Sequence, residues 1–188
     1  MDYKNNCGRI MKTVFACCLL VTNILFGQKI IWKEDQKLTW ENFKSPINRK
    51  NNVDIAAYTN CGWEYSVVKS SNPKSPVTFE IKAIFTENKS WKDVKKISDY
   101  ILVHEQKHFD IAELFVRKFR KAVAEKIKTS GDYDKFFKTI YTGINSDYKN
   151  FQMSYDRDTR HGMDKEKQAE YNAVISEELE NLKSYKAP

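Results

Sequence analysis

The sequence predicts an α+β domain in which an N-terminal antiparallel β-rich half packs on a C-terminal helical half. From about residue 29 to residue 88, short β-prone segments alternate with polar turns. From Asp93 onward, apolar residues recur with the spacing of helices. Strands followed by helices along one chain are typical of the α+β class. At 188 residues, the chain has the length of one domain with a sizeable core.

Alternation of apolar and polar residues predicts the strands. Residues 77–85 alternate for most of their length and form the strongest candidate. Residues 56–68 alternate in part, and residues 30–32 and 38–40 are shorter β-prone pieces. Residues 70–76 contain two prolines, so a turn is predicted there.

Three helices are predicted in the second half of the chain. The first spans residues 94–128 and is expected to stop at Ser130-Gly131, a typical C-terminal signal. The second spans residues 133–153 and the third residues 165–183. The stretch between the last two, residues 154–163, is expected to be irregular.

The N terminus has the pattern of a secretory signal peptide. A short basic stretch precedes an apolar run over residues 14–26, and a glycine follows the run. We expect residues 1–27 to be removed, with Met11 as an alternative start, and residues 28–188 to form a single domain. The run is shorter than the roughly 20 apolar residues of a membrane helix. We therefore expect a secreted or periplasmic protein with no stable membrane span after cleavage.

Cleavage at that point leaves Cys61 as the one cysteine of the mature chain. An intramolecular disulfide is then excluded from the mature chain. We interpret Cys61 as a small buried apolar residue, and not as a ligand or nucleophile.

The net charge of +7 does not indicate a nucleic-acid partner. Acidic and basic residues are interleaved almost everywhere, and the densest basic cluster lies in residues 117–121. That cluster falls late in a predicted helix, where a solvated face is the expected arrangement. No recognisable nucleic-acid-binding module accompanies it, so no nucleic-acid partner is expected.

The residues that indicate chemistry are His104, Glu105 and His108. Two histidines four positions apart on a helix lie about 40° from each other, so both imidazoles can reach one cation. The glutamate between them points about 100° from the first histidine, where it can contact a water molecule on the metal. The spacing predicts that His104 and His108 bind Zn²⁺ and that Glu105 is the catalytic general base of a hydrolase.

The helical wheel places these histidines within the apolar stripe of the helix. A buried pair of histidines with a carboxylate is costly unless the groups are paired or bind a metal. A hydrogen-bonded structural pair is the alternative to a metal site. On the opposite side of the wheel lie Asp110, Glu113 and Arg117, which are predicted to be solvated.

A zinc hydrolase needs a third protein ligand. The chain has three histidines, and the remaining one, His161, lies beside Gly162 in the predicted irregular stretch. We therefore predict His161 as the third metal ligand. Asp158 and Asp156 are the alternatives, because carboxylates also bind zinc. Nearby, Tyr155 is either a donor to a developing oxyanion or a packed core residue.

With these residues, the sequence resembles the bacterial family catalogued as domain of unknown function 922, whose members are described as secreted zinc-dependent proteases. The resemblance implies a zincin-like arrangement, supports His161 as a ligand, and gives Asp110 and Glu113 more than a solvated role. The Gly-x-x-His that follows the second histidine in better-known zincins is missing here. The matching segments cover residues 38–40, 43–44, 56–59, 90–91, 104–113, 155–156 and 159–162.

The predicted function is zinc-dependent hydrolysis of peptide bonds in a peptide or protein substrate. Two alternatives stay open: a non-catalytic, zinc-stabilised binding module at the cell surface, and an amidase that acts on cell-wall peptides. Glu105 favours catalysis, because a purely structural zinc site needs no carboxylate at that position.

Overall fold

The computed structural model describes residues 29–49 and 54–187. Antiparallel strands fill the N-terminal part of this region and three long helices fill the rest, which confirms the predicted α+β class. The predicted signal peptide, residues 1–27, lies outside the described residues. Among the described helices, none is both long enough and apolar enough to cross a membrane.

The main sheet has three antiparallel strands, in the order β1 (Lys29–Ile31), β4 (Thr78–Thr86), β3 (Cys61–Val68). Alternation correctly predicts β4, because one of its faces must be covered. Ile81 and Phe85 lie on that face and are buried in the core that the sheet shares with the helices. The sheet therefore provides an apolar face on which a long helix packs.

A second, two-stranded antiparallel sheet joins β2 (Ala57–Tyr58) to β5 (Trp91–Lys92). The strand predicted around Leu38 is wrong, and a short 3-10 helix, Trp40–Asn42, follows instead. The Leu38 N–H donates to the side chain of Gln106, 2.8 Å away, so it is not part of a strand ladder.

The long helix α1 (Asp99–Lys126) is the central element of the fold. It begins later than predicted because Ser98 caps it, accepting a hydrogen bond from the Ile101 N–H. α1 packs on β3 and β4 and also on the two helices that follow, α2 (Ser130–Thr159) and α3 (Lys165–Asn181). This central position places residues of α1 in contact with every layer.

α2 is longer than the sequence predicts at both ends. Ser130-Gly131, predicted to end α1, instead begins α2, because Thr129 provides a capping box. At the other end the helix continues to Thr159, so Asp156 lies on a helix and not in an irregular stretch. α3 begins at the predicted residue, Lys165, and ends close to the predicted end.

The predicted solvated side of α1 is buried. Asp110, Glu113 and Arg117 are each at most 3% exposed. Trp32 donates its indole N–H to Asp110, and Arg117 donates to the backbone of α3 through the Leu179 carbonyl. The prediction was wrong because it assumed that only one side of α1 is covered by the rest of the protein. The N-terminal segment and α3 cover a second side.

The apolar core lies in two clusters that both include α1. One joins α1 to the main sheet and the first part of α2, and the other lies among the three helices. Together they fix the rotation of α1, so its histidines face α2 and the chain after β2. Representative members are Ile81, Phe85, Phe109 and Phe119 in the first, and Ile111, Leu114, Tyr155 and Ile175 in the second.

Candidate metal centre

The first half of α1 carries His104, Glu105 and His108. The Nε2 atoms of the two histidines lie 3.2 Å apart, as their spacing of four predicts. His104 is 1% exposed, and the His108 side chain is 12% exposed. The helix therefore presents two buried nitrogen atoms to one point.

Asp156 of α2 completes this group. Its Oδ1 lies 3.2 Å from His104 Nε2 and 3.0 Å from His108 Nε2. The ligand atoms of the three residues all lie within 4.8 Å of one another, so they could hold a metal ion. We call His104, His108 and Asp156 the metal group.

His161 lies beside the metal group. Its Nδ1 is 3.2 Å from the same Asp156 oxygen, and its side chain is 43% exposed. Its assignment as the third ligand stays a prediction. The other alternative, Asp158, is engaged elsewhere, because it accepts hydrogen bonds from Arg157 and Tyr171.

A left-handed segment places His161 next to Asp156. Arg160, His161 and Gly162 have φ angles of 51°, 53° and 83°. For a residue other than glycine, this conformation costs roughly 1–2 kcal/mol. A Cβ on Gly162 would lie 3.1 Å from Cβ and Cγ of His104, so the segment is packed directly on that imidazole.

A glutamine holds each α1 histidine by its Nδ1 atom. His104 Nδ1 lies 2.9 Å from Gln168 Oε1, and His108 Nδ1 lies 2.5 Å from Gln152 Oε1. An amide oxygen only accepts, so both Nδ1 atoms must donate, which leaves each Nε2 as an electron-pair donor in the neutral ring. Gln152 also donates to the His108 carbonyl, 3.0 Å away, which fixes the orientation of its amide.

Tyr155 is a packed core residue that contacts His104. It is fully buried, and its ring stacks on the His104 ring with centroids 4.7 Å apart. Its hydroxyl donates to the His104 carbonyl and accepts a hydrogen bond from Gln168. Burial raises the pKa of Tyr155 above its usual range. The structure thus favours the core interpretation over the oxyanion role.

Three residues that hold the site, Gln152, Gln168 and Thr59, are not predicted as site residues from the sequence. A signal existed for the first, because Tyr148, Gln152 and Asp156 are spaced four apart and so share one side of α2. The prediction ended α2 at residue 153, which hid this relation. Gln168 and Thr59 come from separate elements, and no local pattern connects them to α1.

The charges of the metal group are strongly coupled. Burial disfavours a charged His108, but the Asp156 carboxylate outweighs it and raises the pKa of His108 to about 9. Burial also disfavours a charged Asp156, yet the neighbouring histidines hold the pKa of Asp156 well below its usual range. The hydrogen bond to Asp156 raises the pKa of His161. The group thus favours positive charge next to the Asp156 carboxylate.

Glu105 lies next to the metal group and is 4% exposed. The hydroxyl of Thr59, from the chain that follows β2, donates to Glu105 Oε2 at 2.7 Å. Among the described residues, none forms a hydrogen bond with Oε1. Glu105 is therefore held at one oxygen while the other remains available to accept a proton.

A cleft of about 390 Å³ opens over the metal group. Ala57, Tyr58 and Thr59 form one wall, and α2 forms the facing wall. Cys61 also lines the cleft, and burial raises the pKa of its thiol to about 12. It therefore stays a neutral thiol and donates to the His108 carbonyl.

The chemistry of the donor set fits a divalent metal such as zinc. Zinc takes imidazole and carboxylate ligands at about 2.0–2.2 Å in a tetrahedral arrangement, which places neighbouring ligand atoms roughly 3.3 Å apart. In the metal group the corresponding separations are 3.0–3.2 Å. Without a cation or a shared proton, these three electron-pair donors would repel one another.

Comparison with known proteins gives one result. No match was found among curated proteins or among solved structures. A family model described as "bacterial protein of unknown function (DUF922)" matches residues 36–162, which is more than half of the chain. The matched segment includes the metal group, Glu105 and the left-handed segment through Gly162. The chain therefore belongs to the DUF922 family of bacterial proteins.

Proposed function

We propose that this protein is a zinc-dependent metallopeptidase that hydrolyses peptide bonds in peptide or protein substrates. One observation carries the proposal: three metal-binding atoms converge beside a buried glutamate, in a cleft that opens to solvent. A perturbed charge cluster of this kind in a cleft is typical of an active site.

His104, His108 and Asp156 would hold the ion through the converging atoms. When bound, zinc supplies Lewis acidity, which lowers the pKa of water and polarises a carbonyl group. Gln168 and Gln152 keep both imidazoles in the tautomer that this role needs. His161, the ligand predicted from the sequence, would be either a replacement for Asp156 or an additional ligand.

Glu105 acts as the general base in this proposal. It takes a proton from the attacking water and returns it to the leaving amine, a role that contributes about 10²–10⁴-fold in rate. Thr59 holds Oε2, so the carboxylate is oriented before substrate binds.

The rim of the cleft supports a polypeptide substrate. Tyr58 is 44% exposed and Met153 is 61% exposed, and both line the cleft. Exposed apolar side chains beside a polar catalytic group suit the side chains of a bound peptide.

We also propose that the protein acts outside the cytoplasm, as the signal pattern in residues 1–27 predicts. N-terminal sequencing of the protein recovered from its host tests this. A mature chain that begins near Gln28 is the expected result, and an intact N terminus recovered only from the cytoplasm would contradict it.

Metal stoichiometry tests the ligand assignment. We expect one zinc ion per chain in the wild type, measured by elemental analysis, and none in His104→Ala. Comparison of Asp156→Ala with His161→Ala identifies the third ligand, because only loss of a ligand removes the ion. A wild type that takes up no zinc when zinc is offered would contradict the proposal.

Glu105→Gln tests the catalytic step. We expect the variant to keep its zinc and to lose about 10²–10⁴-fold in kcat/KM on peptides that the wild type cleaves. Glu125→Gln is the matched control, since it makes the same change on an exposed part of α1. If Glu105→Gln keeps zinc and full activity, the catalytic role is wrong.

A further inference from the structure

A second cavity adjoins the metal cleft. It is an open pocket of about 650 Å³ at the surface and shares two lining residues with the cleft, Ile55 and His161. The left-handed segment forms the boundary, because His161 lines both spaces while Arg160 and Gly162 line only the second. A ligand that extends past His161 from the metal group would therefore enter this cavity.

The cavity is lined by more positive than negative charge. Lys96, Arg160 and Lys165 line it, and Asp54 is the one carboxylate among its lining residues in the described chain. Lys96 lies 3.9 Å from Asp54, so that carboxylate is partly neutralised. Within residues 29–49 and 54–187, no side chain forms an ion pair or hydrogen bond with the Arg160 guanidinium. The Arg160 side chain is exposed at the pocket wall, where it can pair with an anionic ligand.

The backbone adds to this positive potential. Ser98 and Lys165, which both line the cavity, mark the N-terminal ends of α1 and α3. Helix N-termini carry partial positive charge and favour anions. The neighbouring Asp164 does not line the cavity, and its carboxylate already caps α3 by accepting the Lys167 N–H.

Tyr100 points to a polar ligand. It lines the cavity, and its hydroxyl is buried with no hydrogen-bond partner in the described part of the chain. The hydroxyl lies near the Asp164 carboxylate, whose charge adds to burial in raising the pKa of Tyr100, and as a neutral donor it can bind a group supplied by a ligand. A carboxylate meets this need, because it only accepts hydrogen bonds.

We propose that this cavity is a specificity subsite that takes a carboxylate group of the substrate, with Arg160 as its principal partner. The carboxylate belongs either to an acidic side chain near the cleaved bond or to the C terminus of the peptide. This proposal rests on the proposed peptidase function, since it places the subsite beside the bond that is hydrolysed. Lys165 and the Tyr100 hydroxyl assist Arg160 in this subsite.

Matched peptides test the subsite by binding and by cleavage. The members of one pair differ by Asp in place of Asn, and those of the other by a free C-terminal carboxylate in place of an amide. Binding is measured by titration into zinc-loaded Glu105→Gln. Cleavage is measured with the wild type. We expect about tenfold tighter binding, and a similar gain in kcat/KM, for the acidic member of one pair. The pair that responds identifies the source of the carboxylate.

Variants assign the effect to the cavity. Arg160→Gln should weaken binding and cleavage of the acidic peptides more than of the neutral ones and so remove the preference, and Lys165→Gln should reduce it. Arg157→Gln is the matched control, because Arg157 is exposed, pairs with Asp158 and lines neither cavity. Retained zinc stoichiometry shows that the metal group still forms in Arg160→Gln.

The outcomes separate the two proposals. Cleavage without any acidic preference would overturn the subsite and leave the peptidase proposal intact. Preferential binding of acidic peptides without cleavage would support the subsite and contradict the peptidase. The subsite assignment is wrong if Arg160→Gln weakens the binding of acidic and neutral peptides equally. It is also wrong if Arg157→Gln removes the preference for acidic peptides.

Discussion

Two groups of buried charges on α1 differ in how the charges are satisfied. At one, Glu113 accepts hydrogen bonds from Arg117 and Arg120, at 2.9 and 3.0 Å. At the other, His104, His108 and Asp156 direct electron pairs at one point. The first site pairs donors with acceptors, whereas the second gathers acceptors that need a cation or a proton.

Their surroundings differ in the same way. Arg117 donates to the Leu179 carbonyl and Arg120 to the Tyr185 carbonyl, so the C-terminal segment covers the Glu113 cluster. The metal group instead opens to a cleft. Buried charge on its own therefore does not indicate a functional site. Electron-pair donors that converge on one point beside a cleft do indicate one. This distinction can be tested by mutation.

The largest expected effect is at Glu113. Glu113→Ala would leave the 3% exposed Arg117 without its carboxylate, which typically costs about 3–5 kcal/mol of stability. Zinc bound per folded chain should not change. Urea denaturation and elemental analysis measure the two quantities, and Glu125→Ala, at an exposed position of α1, is the control. Loss of zinc from folded Glu113→Ala would break the distinction between the sites.

The difference between the two sites also explains what the sequence could predict. The spacing of His104 and His108 is local to one helix, so the sequence predicts their convergence directly. The burial of Glu113 depends on α3, which returns from about 60 positions later and covers α1 a second time. A helical wheel contains no information about such coverage.

The third member of the metal group was uncertain for a similar reason. Asp156 reaches the histidines because α2 continues as a helix to Thr159. The sequence around Tyr155 is rich in charged and polar residues and lacks an apolar period, so it predicts a loop and not a helix. The stacking of Tyr155 on His104 stabilises this last turn, and that contact is tertiary.

The next largest effect is expected at the glutamines that orient the histidines. Gln168→Ala removes the acceptor of His104 Nδ1, and we expect zinc affinity to fall about 10–100-fold. Gln106→Ala is the matched control, since Gln106 is a buried glutamine of α1 that hydrogen-bonds Asp110 and not a histidine. It should lower stability but not zinc affinity. Competition with a chelator measures the zinc affinity of both variants. Equal zinc affinities would show that Gln168 is merely structural.

Gly162 tests the packing of the left-handed segment on His104. Gly162→Ala should destabilise the protein by about 1–2 kcal/mol, because alanine is strained at positive φ. The added Cβ would also press on the His104 ring and weaken zinc binding. Gly143→Ala is the control, since it lies within α2 with no atom near the added Cβ, and it should stabilise by up to about 1 kcal/mol. If both substitutions stabilise, the packing argument is wrong.

The smallest effect is a pH dependence confined to one of the two sites. In metal-free protein the pKa of His108 is raised from 6.5 to about 9, so its pairing with Asp156 stabilises the fold fully below pH 6.5. This contribution is lost as the pH rises through about 9. Asp156 is one-third exposed, so solvent screening limits the loss to about 1 kcal/mol.

Urea denaturation of metal-free protein between pH 6 and 9.5 measures this loss, and Asp156→Asn should remove most of it. Bound zinc should also remove the slope, because the ion takes the place of the proton between the ligands. A slope that persists with zinc bound and in Asp156→Asn would show that it arises outside the metal group.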